Sequence, residues 1–289
     1  MTSKKKAAII TAIILAAVII AAAAVLYIND PLRFALFDRI SHIGDSAELK
    51  ERSVETLEIS DEEFKADPRV TFDQSMMLIN ADFLLPEGFS ADIAEYKDTG
   101  VYLNSCANSA FAELSAEVIS RFDQILYVSS SYRTAEEQAE EIAEGGDLAQ
   151  KVGASEHQAG LALDVYVKYF AGEGFIKSEA GKWVNRSCGD YGFIIRYPLF
   201  GKSETGIDYE PWHIRYVGLP HSEIIMKNSM TLEGYLSSLE TGKFYSYRSG
   251  GKKWLISRQS KGVLNVPEKF ESAVISEDNT GGYVITFEM

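Results

Sequence analysis

The sequence predicts an α+β protein with an N-terminal transmembrane helix and a small all-β appendage at its C-terminus. Three observations lead to this fold class. Residues 7–28 form one long apolar run without a charged side chain. Residues 71–240 mix helical and strand patterns without the regular alternation of a doubly wound sheet. Residues 241–289 contain short β-like runs that are separated by glycine-containing turns.

The composition excludes several classes of function. The chain has 289 residues, which is enough for one well-buried domain with additional segments. Its formal net charge of −14 has the wrong sign for a protein that neutralises nucleic-acid phosphates, so no nucleic-acid partner is expected. Neither Cys106 nor Cys188 belongs to a CxxC pair, which excludes a four-thiolate zinc site. A disulfide between them remains open, because connectivity cannot be read from a sequence.

The N-terminal run predicts a membrane anchor. Residues 1–6 carry Lys4, Lys5 and Lys6, and residues 7–28 are long enough for a spanning helix, which needs about 20 residues. By the positive-inside rule, residues 1–6 form a cytoplasmic tail and the main domain is extracytoplasmic. A cleaved signal peptide is the alternative, but its apolar core typically has only about 7–15 residues. The chain is therefore expected to be a single-pass protein of the cell membrane.

The remaining residues divide into three segments. Residues 29–70 are charge-rich and weakly periodic, which predicts a juxtamembrane spacer with a helix near residues 31–43. The main domain is expected at residues 71–240, and the β appendage at residues 241–289.

Apolar periodicity predicts the elements of the main domain. Asn108 or Ser109 is expected to cap its first helix, and Thr134 with Glu137 forms a capping box at the second. The predicted helices lie at residues 108–122, 134–143, 178–188 and 231–239, and the predicted strands at 125–129, 161–167 and 212–217.

The spacing between His157 and Asp164 indicates a turn followed by a strand. The two positions are seven apart, which is too far, on one helix or one straight strand, for both to ligate an ion at about 2.0–2.2 Å. A turn at Gly160 solves this problem, because His157 then lies on a loop and Asp164 on the strand that follows. On that strand, Leu163 and Val165 share the apolar face and Asp164 lies on the opposite one.

Asp164 is expected to require a cation. It lies within an apolar run, and a buried carboxylate without a partner is very costly. The cation is either a metal ion or, in a purely structural alternative, a lysine or an arginine such as Arg196 or Arg215.

A second segment completes a candidate metal site. His213 lies in a predicted strand, and Pro211 pushes Glu210 out of the helical region of backbone conformation. Two histidines and one carboxylate are typical of a catalytic zinc site with an open position for water. Glu210, three residues before His213, is placed to take a proton from that water.

The motifs resemble those of the zinc D-alanyl-D-alanine carboxypeptidases and dipeptidases of the VanY and VanX kind. The pattern SxHxxGxAxD followed by ExxH is present, and SSYRT, SEHQAGLALD, YGFIIRYP and EPWHIRYVG occur in the family's order between about residues 78 and 239. The resemblance implies a small antiparallel sheet flanked by helices. It also implies Zn²⁺ ligands at His157, Asp164 and His213, and a catalytic base at Glu210.

The resemblance further implies a substrate and the residues that bind it. The expected substrate is a peptidoglycan stem peptide that ends in D-alanine, with Arg133 stabilising it and Gln138 and Ser155 gripping its free carboxylate. D,D-carboxypeptidase activity is favoured. The alternatives are L,D-carboxypeptidase activity on tetrapeptide stems, or a non-catalytic wall-binding or sensory module with the same fold.

Overall fold

The computed structural model describes residues 3–41, 46–144 and 150–289, which fall into two compact units that meet in sequence near residue 43. The first unit contains helices α1 (Ser3–Ile28) and α2 (Asp30–Ser41). Within α1, Ile9–Ile28 is long and apolar enough to cross a membrane. The helix predicted near residues 31–43 is α2, although residues 42 and 43 lie outside the described ranges. Membrane insertion and its orientation stay predictions.

The second unit begins near residue 44 and contains the remaining elements. Its α-helices are α3 (Asp61–Lys65), α4 (Ser105–Phe122), α5 (Ala135–Ala143), α6 (Glu179–Ser187), α7 (Lys202–Thr205), α8 (His221–Lys227) and α9 (Leu232–Ser238). Its 3₁₀ helices are η1 (Glu156–Ala159), η2 (Gly172–Lys177) and η3 (Cys188–Tyr191). Its strands are β1 (Lys50–Arg52), β2 (Thr56–Ser60), β3 (Val70–Asp73), β4 (Ile93–Tyr96), β5 (Val101–Asn104), β6 (Tyr127–Ser130), β7 (Ala162–Tyr166), β8 (Phe193–Ile195), β9 (His213–Tyr216), β10 (Phe244–Ser249), β11 (Lys252–Ser260), β12 (Val263–Pro267), β13 (Ser272–Glu277) and β14 (Gly282–Glu288).

A four-stranded antiparallel sheet in the order β6-β7-β9-β8 carries the motifs. Leu163 and Val165 of β7 are buried in one core with Phe111 and Leu114 of α4 and Val184 of α6. This arrangement confirms the small antiparallel sheet flanked by helices, and the two faces of β7 are those that the alternation predicts.

Local capping explains where the helices begin. The capping box of Thr134 and Glu137 is present at α5, as predicted. Helix α4 instead begins earlier than predicted, because the side chain of Asn104 accepts a hydrogen bond from the backbone N–H of Cys106 and so acts as the N-cap. The predicted caps Asn108 and Ser109 lie inside the first turns of α4.

The C-terminal residues form the predicted β structure, but they do not form it alone. A six-stranded sheet has the order β1-β10-β11-β14-β13-β3, and β12 pairs with β2 beside it. Strands β1, β2 and β3 come from the chain before residue 74, so the predicted spacer contributes strands to this β layer. Most of their side chains are exposed, and the pairing of Lys50 with Ser246 is long-range, so the local sequence carries little signal.

A buried histidine joins this β layer to helices α8 and α9. Nδ1 of His221 lies 2.7 Å from the hydroxyl of Tyr235. Its Nε2 lies 2.6 Å from the hydroxyl of Thr286 on β14. Burial lowers the pKa of His221 to about 3, so the ring is neutral at pH 7 and both its nitrogens are satisfied by hydroxyl groups.

We expect Thr286→Val to destabilise the protein by about 1–3 kcal/mol, because it leaves a buried nitrogen of His221 without a partner while preserving the side-chain shape. The measurement is urea unfolding of the full chain in detergent. Thr71→Val is the matched control, since Thr71 is exposed on β3 of the same sheet, and its effect is expected within about 0.5 kcal/mol. Equal effects of the two substitutions would contradict a structural role for the His221 contacts.

Candidate metal centre

The short helix η1 and the turn after it place His157. Gly160 follows η1 with φ at 66°, a left-handed conformation that favours glycine. A Cβ at this position would lie 2.4 Å from Ile93 Cδ1 and 2.7 Å from the backbone nitrogen of Asn104. The chain can therefore turn from η1 into β7 only with glycine here, as the seven-residue spacing predicted.

The sheet register brings Asp164 and His213 together. They are directly opposite each other on the antiparallel strands β7 and β9. Nδ1 of His213 lies 3.0 Å from Oδ1 of Asp164, and Nε2 of His157 lies 3.5 Å from Oδ2 of Asp164. One donor atom from each of the three residues lies within 4.8 Å of the other two. The structure thus brings together all three of the predicted ligands.

The partners of each histidine indicate which nitrogen faces the ion. Nδ1 of His157 lies 2.9 Å from the carbonyl oxygen of Ser131, so it donates there and leaves Nε2 for a metal. His213 has the opposite orientation. Its Nδ1 faces Asp164, and its Nε2 lies 3.8 Å from a carboxylate oxygen of Glu156.

The electrostatics of this cluster favour a cation. Burial opposes ionisation of Asp164, but its contacts with His157 and His213 outweigh burial and hold the pKa of Asp164 well below its usual range. Burial likewise opposes a charge on His213, yet the carboxylates of Asp164, Glu156 and Glu210 raise the pKa of His213 to about 10. The carboxylates around His213 therefore favour a positive charge, which either a proton or a metal ion supplies.

Glu210 lies beside the three donors. Its backbone carbonyl accepts a hydrogen bond from the His213 N–H at 3.2 Å, which forms a turn around Pro211. Oε2 of Glu210 lies 3.6 Å from Nδ1 of His213. Burial, together with the negative charges of Asp164 and Asp208, raises the pKa of Glu210. A buried carboxylate with a raised pKa suits both acceptance and donation of a proton.

Two of the three predicted substrate-binding residues, Arg133 and Ser155, lie next to the His157 segment, and the third, Gln138, lies on α5. The backbone N–H of Arg133 donates to the His157 carbonyl at 3.2 Å, and its buried Nε has no hydrogen-bond partner among the described residues. Ser155 is buried immediately before η1. Gln138 is buried on α5, where its Nε2 donates to the carbonyl of Gln150 at 2.6 Å. Arg133 and Ser155 thus border the His157 segment, and Gln138 anchors the chain before it.

Sequence reasoning missed Glu156. Glu156 is fully buried and pairs with Arg196 and Arg215, the two arginines that the structural alternative assigned to Asp164. That alternative is wrong, because both guanidiniums contact Glu156 instead. The ring of Tyr197 lies 4.9 Å from that of His213 between centroids. The only available signal for Glu156 was its position, directly before a predicted ligand.

An antiparallel sheet that carries a His–Asp–His cluster with a buried glutamate beside it is typical of a metallopeptidase. Residues 100–219 match the family model described as VanY, D-alanyl-D-alanine carboxypeptidase. This match supports a VanY-type peptidase over that part of the chain.

A similar protein of known activity agrees with the match to the VanY family model. A D-alanyl-D-alanine carboxypeptidase of Enterococcus faecium is 35% identical over 196 residues, which cover 65% of this chain and 62% of the relative. The match therefore spans less than two thirds of that relative's length.

Two solved structures show the same fold. The D,D-pentapeptidase VanY of a VanB-type vancomycin resistance cassette, solved in complex with Zn(II), is 27% identical with a TM-score of 0.50. The match covers 57% of this chain and 99% of that one. The D,D-dipeptidase VanXYg is 23% identical with a TM-score of 0.65, and covers 82% of this chain and 100% of its own. The second likeness concerns the fold alone, and it extends over more of the chain than residues 71–240.

Proposed function

We propose that this protein is a zinc D,D-carboxypeptidase that removes the C-terminal D-alanine from peptidoglycan stem peptides. The observation that carries the proposal is the convergence of His157, Asp164 and His213 on one point, with Glu210 beside it. We further propose that α1 anchors the protein in the cell membrane with the peptidase domain outside, since Lys4, Lys5 and Lys6 precede its apolar stretch.

The donor set supports zinc. Two imidazole nitrogens and one carboxylate oxygen are the ligands of catalytic zinc sites, which keep one position open. Asp164 Oδ1 is buried without hydrogen-bond geometry to any partner among residues 3–41, 46–144 and 150–289, so it has an unused lone pair for an ion. When bound, zinc lowers the pKa of a water molecule and polarises the scissile carbonyl group.

Glu210 moves the proton in this proposal. Its carboxylate accepts a proton from the attacking water, and then donates it to the nitrogen of the departing D-alanine. Both transfers are needed, because an amine leaves an amide readily only as its protonated form. The raised pKa of Glu210 supports the second transfer, since a carboxyl group with a higher pKa holds the proton longer at neutral pH.

Arg133 supplies the positive charge that recognises a chain end. A guanidinium matches a carboxylate geometrically, and the buried Nε of Arg133 lacks a partner within the described part of the chain. Gln138 is better suited to a substrate N–H than to the carboxylate, because its Nε2 already donates to Gln150 and its buried acceptor Oε1 lacks a partner. Ser155 contributes a hydroxyl beside the His157 segment.

The decisive experiment is incubation of the full chain, loaded with zinc in detergent, with synthetic stem peptides, followed by mass spectrometry. A pentapeptide that ends in D-Ala-D-Ala is expected to lose one D-alanine, and the same peptide with a C-terminal amide is expected to stay intact. Cleavage of the tetrapeptide alone would establish L,D-carboxypeptidase activity instead. Zinc binding without cleavage of either peptide would favour the wall-binding or sensory module.

A further inference from the structure

A buried ion network lies behind His213, on the side away from Asp164. Oε1 of Glu156 accepts a hydrogen bond from Nε of Arg196 at 2.6 Å and another from Nη1 of Arg215 at 2.6 Å. The side chains of all three residues are fully buried. Both hydrogen bonds from the guanidiniums go to the same oxygen of Glu156, which leaves the other oxygen available.

The other oxygen of this carboxylate faces His213. Oε2 of Glu156 lies 3.8 Å from Nε2 of His213. Both atoms are buried, and neither has a hydrogen-bond partner among the residues that the structure describes. An unused acceptor and an unused ring nitrogen therefore face each other at 3.8 Å, slightly beyond hydrogen-bond distance.

We propose that Glu156 is a positioning residue that prepares His213 for the metal. It accepts the Nε2–H of His213, which fixes the tautomer whose Nδ1 carries a free lone pair and aims that lone pair towards Asp164. Metal-bound histidines generally donate their second ring N–H to a carboxylate or carbonyl group in this way. The inference rests on the zinc site proposed above.

The two arginines hold this carboxylate in place. Arg196 also makes a bidentate pair with Glu233, at 2.8 and 2.6 Å. Arg215 also donates to the carbonyl oxygens of Ser75 and Met77, at 2.9 and 2.8 Å. Because each guanidinium is fixed at a second point, Glu156 can neither rotate away from His213 nor exchange its partners for water.

The network also keeps Glu156 ionised. Nε of Arg196 and Nη1 of Arg215 each lie 2.6 Å from Oε1 of Glu156, so the carboxylate faces two permanent positive charges in the protein interior. An ionised carboxylate can only accept a hydrogen bond, so the proton between the two groups must be on Nε2 of His213.

The substitution Glu156→Gln is expected to reverse which ring nitrogen of His213 carries the proton. Its amide oxygen is the group that can accept from the two guanidiniums, so its NH₂ group must face Nε2 of His213. That NH₂ favours the tautomer with the proton on Nδ1, which is the nitrogen needed for the metal. We expect the zinc dissociation constant to rise about 10–100-fold, the usual cost of losing an outer-shell partner.

Glu233→Gln is the matched control. It removes a negative charge beside Arg196, but its amide oxygen can still accept from that guanidinium, and Arg215 still holds Glu156. Glu233 makes no contact with His213 in the described part of the chain. Loss of the network's structural support alone would weaken zinc binding equally in both variants. The positioning role requires that zinc affinity falls in Glu156→Gln and stays near wild type in Glu233→Gln.

Zinc affinity is measured on the full chain in detergent by competition with a chelating dye. A second readout is ¹⁵N NMR of histidine-labelled, zinc-loaded protein, in which the four histidines give few signals. In wild type and in Glu233→Gln, the signal of the His213 Nε2 proton is expected to be that of a hydrogen-bonded proton. In Glu156→Gln this hydrogen bond is expected to be lost.

Several outcomes would overturn the inference. Wild-type affinity in Glu156→Gln, or an equal loss in Glu233→Gln, shows that Glu156 does not position His213. If Glu156→Gln fails to fold, Glu156→Asp decides the question, because it keeps the charge but withdraws the oxygen from Nε2, and unchanged zinc affinity then refutes the role. Failure of the wild-type chain to bind zinc would instead refute the proposed metal site itself.

Discussion

Replacement of Glu210 by glutamine is expected to lower kcat for D-alanine release about 10²–10⁴-fold, the usual contribution of a general acid–base group. Glutamine has nearly the same size as glutamate but cannot accept the proton of the attacking water. The zinc content is expected to stay at the wild-type level, because His157, Asp164 and His213 supply the donors and Glu210 lies outside this group.

Two measurements separate this result from a structural effect. Zinc content and kcat are determined on the same preparation, and Glu173→Gln serves as the matched control. Glu173 is an exposed carboxylate in η2. Its substitution is expected to leave kcat near wild type. A Glu210→Gln variant with wild-type kcat would show that another group carries the proton.

The placement of His157 and Asp164 was predictable because their geometry is local. His157 and Asp164 are seven positions apart, which required a turn, and Gly160 was the residue able to make it. The alternation of Leu163 and Val165 with Asp164 then fixed the face of β7. His213 was predictable only through the resemblance of its motif, since its pairing with Asp164 is a contact between distant segments.

Other features depend on contacts that no local pattern encodes. The strand β1 has three exposed residues, and it exists because it pairs with Phe244–Ser249 at the other end of the chain. The burial of Glu156 likewise depends on contacts with distant residues. Its partners lie 40 and 59 residues away in sequence, so its burial becomes visible only when Arg196 and Arg215 converge in the fold.

The substitution Asp164→Asn is expected to weaken zinc binding strongly. Loss of a residue that only hydrogen-bonds to a metal ligand costs about 10–100-fold in affinity, and loss of a ligand is expected to cost more. Asparagine keeps the shape but removes the negative charge that lies 3.0 Å from His213 and 3.5 Å from His157. D-alanine release at low zinc is expected to fall to background, because activity then requires an ion that is no longer bound. Asp190→Asn, at an exposed carboxylate in η3, is the control.

A zinc titration distinguishes this defect from that of Glu210→Gln. After treatment with a chelator, the wild-type chain is expected to regain full activity when zinc is restored. Asp164→Asn acts through affinity, so excess zinc is expected to recover part of its activity by mass action. Glu210→Gln acts on the proton transfer, so saturating zinc cannot recover it. Rescue of both variants, or of neither, would show that Asp164 and Glu210 do not divide metal binding and proton transfer between them.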